Sequence, residues 1–252
     1  MPLSEQQSFL DEGITSRLPD FSVPIGIVEL AAYIRNHVSN TSIELLDVAV
    51  DLHGVFRQNI GDNGVLNNRI STERFYYNEI DSVNMEPDIV GVSILYSTSY
   101  FSSLKLMKLA RKKWPKALMI VGGNHASGYY KTILKNDNID LLFRGEAETS
   151  FTEYLDLYNK QGKNVDVNKI VGVYDYNKLR NQSDGSPVES APYMDSLDQI
   201  GLPAYDLLNL DMYKITSSTL DRGSISVMWS RGCPFKCTFL RSACCSRVKS
   251  AG

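Results

Sequence analysis

The sequence predicts an α/β fold, a doubly wound parallel sheet. Three observations lead there. Short apolar runs at 88–95, 117–121 and 139–144 have the length and all-round apolar character of strands covered on both faces. Stretches with helical periodicity alternate with them. Each run ends in small or polar residues, the usual site of a strand-to-helix turn. Strands and helices in alternation imply βαβ units, which place helices on both sides of a parallel sheet.

Each element follows from its residues. In PIGIVELAAYIRNHV, residues 24–38, Ile27, Leu30, Ala31, Ile34 and Val38 form one helical stripe, and Pro24 suits a first turn. SIELLDVAV, residues 42–50, reads as a buried strand. Residues 51–86 have weak periodicity and read as a long excursion with one short helix. DIVGVSIL, residues 88–95, reads as a strand. Phe101, Leu104, Met107, Ala110 and Trp114 then mark a helix over 99–114 that Pro115 ends. ALMIV, residues 117–121, is the next strand and runs into Gly122-Gly123. Ser127 is expected to cap a helix through about residue 136. IDLLFR, residues 139–144, is a further strand closed by Gly145. Ser150 and Glu153 suggest a capping box ahead of Phe151, Tyr154, Leu155 and Tyr158. KIVGVYDY and PVES flank Asp184-Gly185 and read as a small hairpin within 169–190. Residues 191–222 read as a connector, and SISVMWS at 224–230 opens a second strand system. The expected organisation is an α/β domain over 1–160, a hairpin and linker over 161–222, and the start of a further domain over 223–252. An opening strand before the first helix is expected but has no good candidate in residues 1–23.

Bulk properties exclude several classes. The chain has 252 residues, 43% hydrophobic and 22% charged, with net charge −3. No basic stripe is present, so nucleic acid is not an expected partner. No apolar run approaches the roughly 18 residues of a membrane span. The N-terminus lacks a basic flank followed by an apolar core, so a cytosolic protein is expected.

The four cysteines all fall between 233 and 245. A disulfide framework would spread them along the chain, so clustering favours metal or cluster ligation, with Cys233 and Cys237 as candidate ligands. A four-thiolate zinc site is possible by count, although adjacent Cys244-Cys245 makes poor tetrahedral geometry. In an open parallel sheet, ligands bind beyond the carboxyl ends of the strands. The loops there are 93–99, 122–127 and 144–149. Ser93, Ser97, Thr98 and Ser99 cluster hydroxyls, which also suit turns and caps. Gly122 and Gly123 have no Cβ, which suits either a ligand lying against the backbone or a tight strand-to-helix turn. Glu146 and Glu148 at a helix entrance suit dipole compensation.

PIGIVELAAYIR, PDIVGVSIL, MIVGGNHAS and DLLFRGEAETSF, followed by LPAYDLL and RGCPFKCTF, resemble in order the cobalamin-binding domain at the front of many radical S-adenosylmethionine enzymes. The resemblance covers roughly residues 22–239. It implies a Rossmann- or flavodoxin-like domain holding cobalamin, a small-molecule cofactor, over the ends of the strands at 93 and 122. Ser93 and Leu95 match the S-x-L element and Gly122-Gly123 the G-G element of such domains. By the resemblance, Ser93, Leu95, Ser97, Thr98, Gly122, Gly123 and Asn124 line the nucleotide tail and corrin edge. Asp51-Leu52-His53-Gly54 departs from the D-x-H-x-x-G pattern in Gly spacing and follows the wrong strand, so His53 reads as a loop histidine and not a cobalt ligand.

Cys233 and Cys237 match the first two ligands of the radical S-adenosylmethionine motif, which implies a 4Fe-4S cluster and S-adenosylmethionine in the intact family, often for methyl transfer. The third ligand position holds Leu240, and RSACCSRVKSAG does not resemble the family. One inserted T turns Phe-Cys codons into Phe-Leu, and the displaced C can open the codon of Arg241. A frameshift at codon 240, with loss of the barrel that follows and of a complete catalytic site, is therefore the expectation. The alternative is a stand-alone cobalamin or small-ligand module without enzymatic activity.

Overall fold

In the computed structural model, residues 22–59, 71–133, 136–181, 188–216, 225–232 and 249–250 are described. The chain divides into two compact units. One comprises Met1–Pro24, Glu44–Met85 and Tyr205–Ser226; the other comprises Ile25–Ile43, Glu86–Ala204 and Val227–Gly252.

The second unit carries the sheet. Its strands are β1 (Ile89–Ser93), β2 (Leu118–Gly122), β3 (Leu141–Phe143) and β4 (Val173–Asp175), in spatial order β1-β2-β3-β4. β1 and β2 run parallel, with Ile89 opposite Leu118 and Ser93 opposite Gly122. β2 and β3 are also parallel. β4 is antiparallel to β3, so the sheet is parallel-dominated and not wholly parallel.

Helices α1 (Ile25–His37), α4 (Tyr100–Lys113), α5 (Asn124–Gly128), α6 (Tyr130–Ile133), α7 (Ala147–Gln161) and α8 (Tyr176–Asn181) complete this unit. α4 follows the stripe expected of it, and its C-terminus falls one turn residue before Pro115. Met107 and Ala110 of α4 are buried, and Met107 lies in one core with Val121, Leu142, Ile133 and Leu179. A second cluster joins Ile120, Leu141 and Phe143 to Tyr154 of α7. Ile34 and Val38 pack with Leu155, which brings α1 beside α7. β1 is covered less fully: Val92 packs on the first core, while Gly91 and Ser93 are exposed.

Several local expectations are corrected. The stretch 42–50 is not a strand: residues 41–47 are irregular, and helix α2 (Val48–Asn59) begins inside it. Asp47 is the reason, because its Oδ1 accepts from the Ala49 amide at 3.1 Å and satisfies an open N–H of the first turn. The excursion that follows holds this helix and α3 (Thr72–Ser82), which Ser71 caps by accepting from the Arg74 amide. His53 therefore sits on a helix and is buried; it is not a loop residue. Ser127 does not cap a helix. α5 starts at Asn124 after Gly123, and α6 follows separately. Ser150 and Glu153 form no capping box, because α7 begins earlier with Glu146 at its N-cap. No hairpin joins 173–175 to 188–190 among the described residues: β4 pairs with β3, and α8 follows directly. The expected strand at 224–230 is reduced to β5 (Ser230–Arg231), which pairs with β6 (Lys249–Ser250).

The first unit is held by contacts of its own. Tyr213 is buried and donates its hydroxyl to Asp47 Oδ2 at 2.6 Å. Burial and the neighbouring carboxylates Asp47 and Asp51 push the Tyr213 phenol well above its ordinary value. Tyr205 donates to the Ser226 carbonyl at 2.5 Å.

Candidate functional site: the carboxyl edge of the parallel strands

The carboxyl ends of β1 and β2 lie side by side. Beyond the ladder, the Ile94 amide donates to Gly122 O at 2.8 Å and the His125 amide donates to Ile94 O at 3.0 Å. The two tips are therefore stitched together past the last paired residues. Gly123 makes this possible. It has φ +96°, and a Cβ there would lie 2.6 Å from Ile94 O and 2.9 Å from Ile94 N and C. The close approach that Gly123 permits is thus that of the neighbouring strand tip. Gly122 differs: a Cβ there would meet Phe143 O at 3.7 Å, an ordinary contact.

On this platform the expected binding residues come together. Ser93, Leu95, Ser97, Thr98 and Asn124 are exposed, and Gly122 and Gly123 are half-buried. Leu95 is 46% exposed and its neighbour Tyr96 64%, which gives the edge an apolar face beside its hydroxyls. Ser97–Ser99 form one 3-10 turn ahead of α4, held by the Ser99 hydroxyl donating to Tyr96 O at 2.9 Å.

His125 was not singled out by sequence reasoning, although it directly follows Gly122-Gly123-Asn124. The residue is 8% exposed, and its ring stacks on Tyr129 with centroids 5.2 Å apart and lies 5.2 Å from the ring of Tyr100. Nδ1 pairs with Ser97 Oγ at 2.9 Å, and Nε2 is buried without a partner. Burial lowers the pKa of this imidazole, so the neutral form is favoured. A neutral ring that takes the Ser97 proton at Nδ1 carries its own proton on Nε2, which leaves an unused donor at this edge.

The third loop, 144–149, is built differently. Arg144 donates from Nε to Ser127 O at 3.0 Å and from Nη1 to Val188 O, and Ser127 Oγ accepts from the Gly145 amide at 3.0 Å. Gly145 has φ +96°, and a Cβ there would lie 2.8 Å from Ala191 N and O, where the 188–191 segment crosses the loop. Glu146 and Glu148 do more than compensate a helix dipole: Arg231 lies 3.3 Å from Glu146 Oε1 and 2.7 Å from Glu148 Oε1.

Cys233 and Cys237 lie outside the described residues, as do Leu240, Cys244 and Cys245. Among the described residues no group of three or more His, Cys, Asp or Glu could hold a metal ion. No helix among them is long and apolar enough to cross a membrane.

An α/β sheet whose parallel strands end in an open, hydroxyl-lined edge defines a class of ligand-binding domain. Residues 79–155, the stretch from α3 into α7, match the model of the B12 binding domain family. The chain is related to cobalamin-dependent radical S-adenosylmethionine methyltransferases. It is 32% identical over 161 residues to an uncharacterized methyltransferase of Pyrococcus horikoshii, covering 63% of this chain and 32% of the relative. It is 27% identical to the cytidylyl-2-hydroxyethylphosphonate methyltransferase of Streptomyces wedmorensis, covering 88% and 44%. It is 26% identical to the cobalamin-dependent radical SAM methyltransferase TokK of Streptomyces tokunonensis, covering 62% and 22%. The fold is shared with the cobalamin-dependent S-adenosylmethionine radical enzyme OxsB, solved with aqua-cobalamin bound, at TM-score 0.61 and 18% identity over 93% of this chain and 28% of that one. The chain spans less than half the length of these relatives.

Proposed function

We propose that this chain binds cobalamin across the tips of β1 and β2. The observation that carries the reading is the exposed row at these tips. Leu95 and Tyr96 offer apolar surface to a macrocycle. The hydroxyls of Ser93, Ser97 and Thr98 and the amide of Asn124 offer partners to its polar substituents and nucleotide tail. The unpartnered Nε2 of His125 lies buried beside them, a donor in the tautomer whose Nδ1 accepts from Ser97. Those residues fit the group. Gly122 and Gly123 contribute the backbone of the platform. His53 lies in the other unit, and no role as a cobalt ligand is proposed for it.

Cobalamin, when bound, supplies cobalt-centred methyl-transfer or redox chemistry. The residues of this chain bind and orient it. Ser97, held by His125 Nδ1, presents its hydroxyl in a fixed direction, which lowers the ordering needed on binding.

The finer reading is that this domain serves a radical S-adenosylmethionine protein. Cys233 and Cys237 would be two thiolate ligands of a 4Fe-4S cluster, and the reaction would be methyl transfer in a protein completed by further residues. A titration with hydroxocobalamin tests the first claim: a shifted absorption spectrum that saturates near one equivalent is expected. Anaerobic reconstitution with iron and sulfide tests the second. Iron retained by the wild type and lost in C233A/C237A supports cluster ligation; equal iron in both refutes it. Pigment without iron would leave a cobalamin-binding module alone.

A further inference from the structure

Arg231 stands two residues ahead of Cys233, and its guanidinium is largely buried against three carboxylates. Nη2 lies 2.6 Å from Glu29 Oε2 and 2.7 Å from Glu148 Oε1, and Nη1 lies 3.3 Å from Glu146 Oε1. Nε points at Met228 Sδ, 3.1 Å away. Glu29 comes from α1; Glu146 and Glu148 come from the N-cap and first turn of α7. Glu29 and Glu148 side chains are each 6% exposed and Glu146 13%. The second oxygen of Glu146 accepts from the Met194 amide at 2.7 Å. Burial alone would lower the arginine pKa; the carboxylates, Glu148 foremost, outweigh it and hold the charge firmly.

We propose that Arg231 is a positioning residue that locks the chain entering the Cys233–Cys237 segment onto helices α1 and α7 of the cobalamin-binding unit. Four features support this. The segment 225–229 has no ladder of its own, and β5 is two residues long, so backbone pairing holds it weakly. The fork of a guanidinium reaches three carboxylates at once, which a lysine ammonium cannot reproduce. The three acids are partly offset by the positive N-terminus of α7, which spans fifteen residues. The partners stand 202 residues apart for Glu29 and come from two helices, so a single side chain fixes both the place and the direction of the chain. This role rests on the proposed reading of 233–237 as a cluster segment; the lock itself does not.

Hydrogen–deuterium exchange on the whole chain tests it, with R231M, R231K and the triple variant R231M/E29Q/E148Q. Both single variants are expected to speed exchange of the 225–232 amides roughly tenfold or more, with the amides of β1 and β2 unchanged. The triple variant removes the two most buried of the stranded carboxylates, while Glu146 keeps the Met194 amide as a partner. It should restore the stability of α1 and α7 while leaving 225–232 fast. The pH dependence separates a charge lock from ordinary packing. The charged groups facing Glu29 are Arg231, Glu148 and Glu146. Burial already raises the Glu29 pKa above 4.5, and losing Arg231 raises it further. A raised carboxyl pKa contributes stability that is present below 4.5 and lost as pH rises, so the R231M defect should be larger at pH 7.5 than at pH 5. Unchanged exchange at 225–232, or acceleration equal to that of the sheet, overturns the lock. A lock intact in a protein that takes up no iron would refute the cluster reading and leave the lock standing.

Discussion

Gly123→Ala separates the demands of the strand tips from those of a ligand. The alanine Cβ would sit 2.6 Å from Ile94 O and 2.9 Å from Ile94 N and C. These are backbone atoms of the adjoining tip, which no side-chain rotation can clear. The residue also has φ 96° and ψ 172°, a region open almost solely to glycine, and holding another residue there costs about 1–3 kcal/mol. Relief of the clash means moving Ile94, whose amide bonds Gly122 O and whose carbonyl receives the His125 amide. Each such bond contributes about 1 kcal/mol. The combined loss is about 3–5 kcal/mol. Gly122→Ala is the control, because its Cβ would meet nothing closer than 3.7 Å; it should change stability by less than about 1 kcal/mol. Urea denaturation followed by circular dichroism reads both, and the thermal midpoint of G123A should fall by about 6–20 °C. Equal stability of G123A and wild type, or a larger loss in G122A, would refute the reasoning.

Three further outcomes follow from the same structure. His125 has a depressed pKa, so it contributes stability that is present above its ordinary value of 6.5 and lost as pH falls through the folded value. H125Q should flatten the fall in stability between pH 7 and pH 5, measured by denaturation across that range; an unchanged slope would show that the ring is solvated. Tyr213→Phe removes the bond to Asp47 Oδ2 and leaves that carboxylate short of a partner, which should cost about 1.5–3 kcal/mol in the unit it belongs to; a change below 0.5 kcal/mol, within the range of ordinary surface substitutions (about ±0.5), would count against the contact. Gly54→Ala should be neutral or stabilising by up to about 1 kcal/mol, since alanine favours helix α2 and the atom 2.8 Å from the new Cβ is the flexible Met212 Cε; a loss above 2 kcal/mol would mean that Met212 cannot move.

The central strands were legible because their signals are local. Apolar runs at 89–93 and 118–122 are bounded by turn residues, and Pro115 stops α4 whatever surrounds it. The run at 42–50 misled for a definable reason: a short apolar stretch suits strand or helix equally, and the choice was made by Asp47 accepting an amide two residues on. The strand expected to open the hairpin takes its partner from β3, some thirty residues earlier, while Asp184-Gly185 lies outside the described residues. At the site, the strand-tip residues were legible from the rule that ligands sit beyond parallel strand ends. The structure then divided the Gly pair, assigning Gly123 to the neighbouring backbone. His125 could have been found from its place directly after Gly-Gly-Asn. The meeting of Arg231 with Glu29, Glu146 and Glu148 could not, because nothing in sequence links residues that only the fold brings together.

Exchange protection by hydroxocobalamin tests the central claim most directly. With the pigment in excess, amides of 93–98 and 122–125 should exchange more slowly while those of α2 and α3 keep their rates. Protection that falls elsewhere, or no protection at the tips of β1 and β2, would contradict the assignment of cobalamin to that edge.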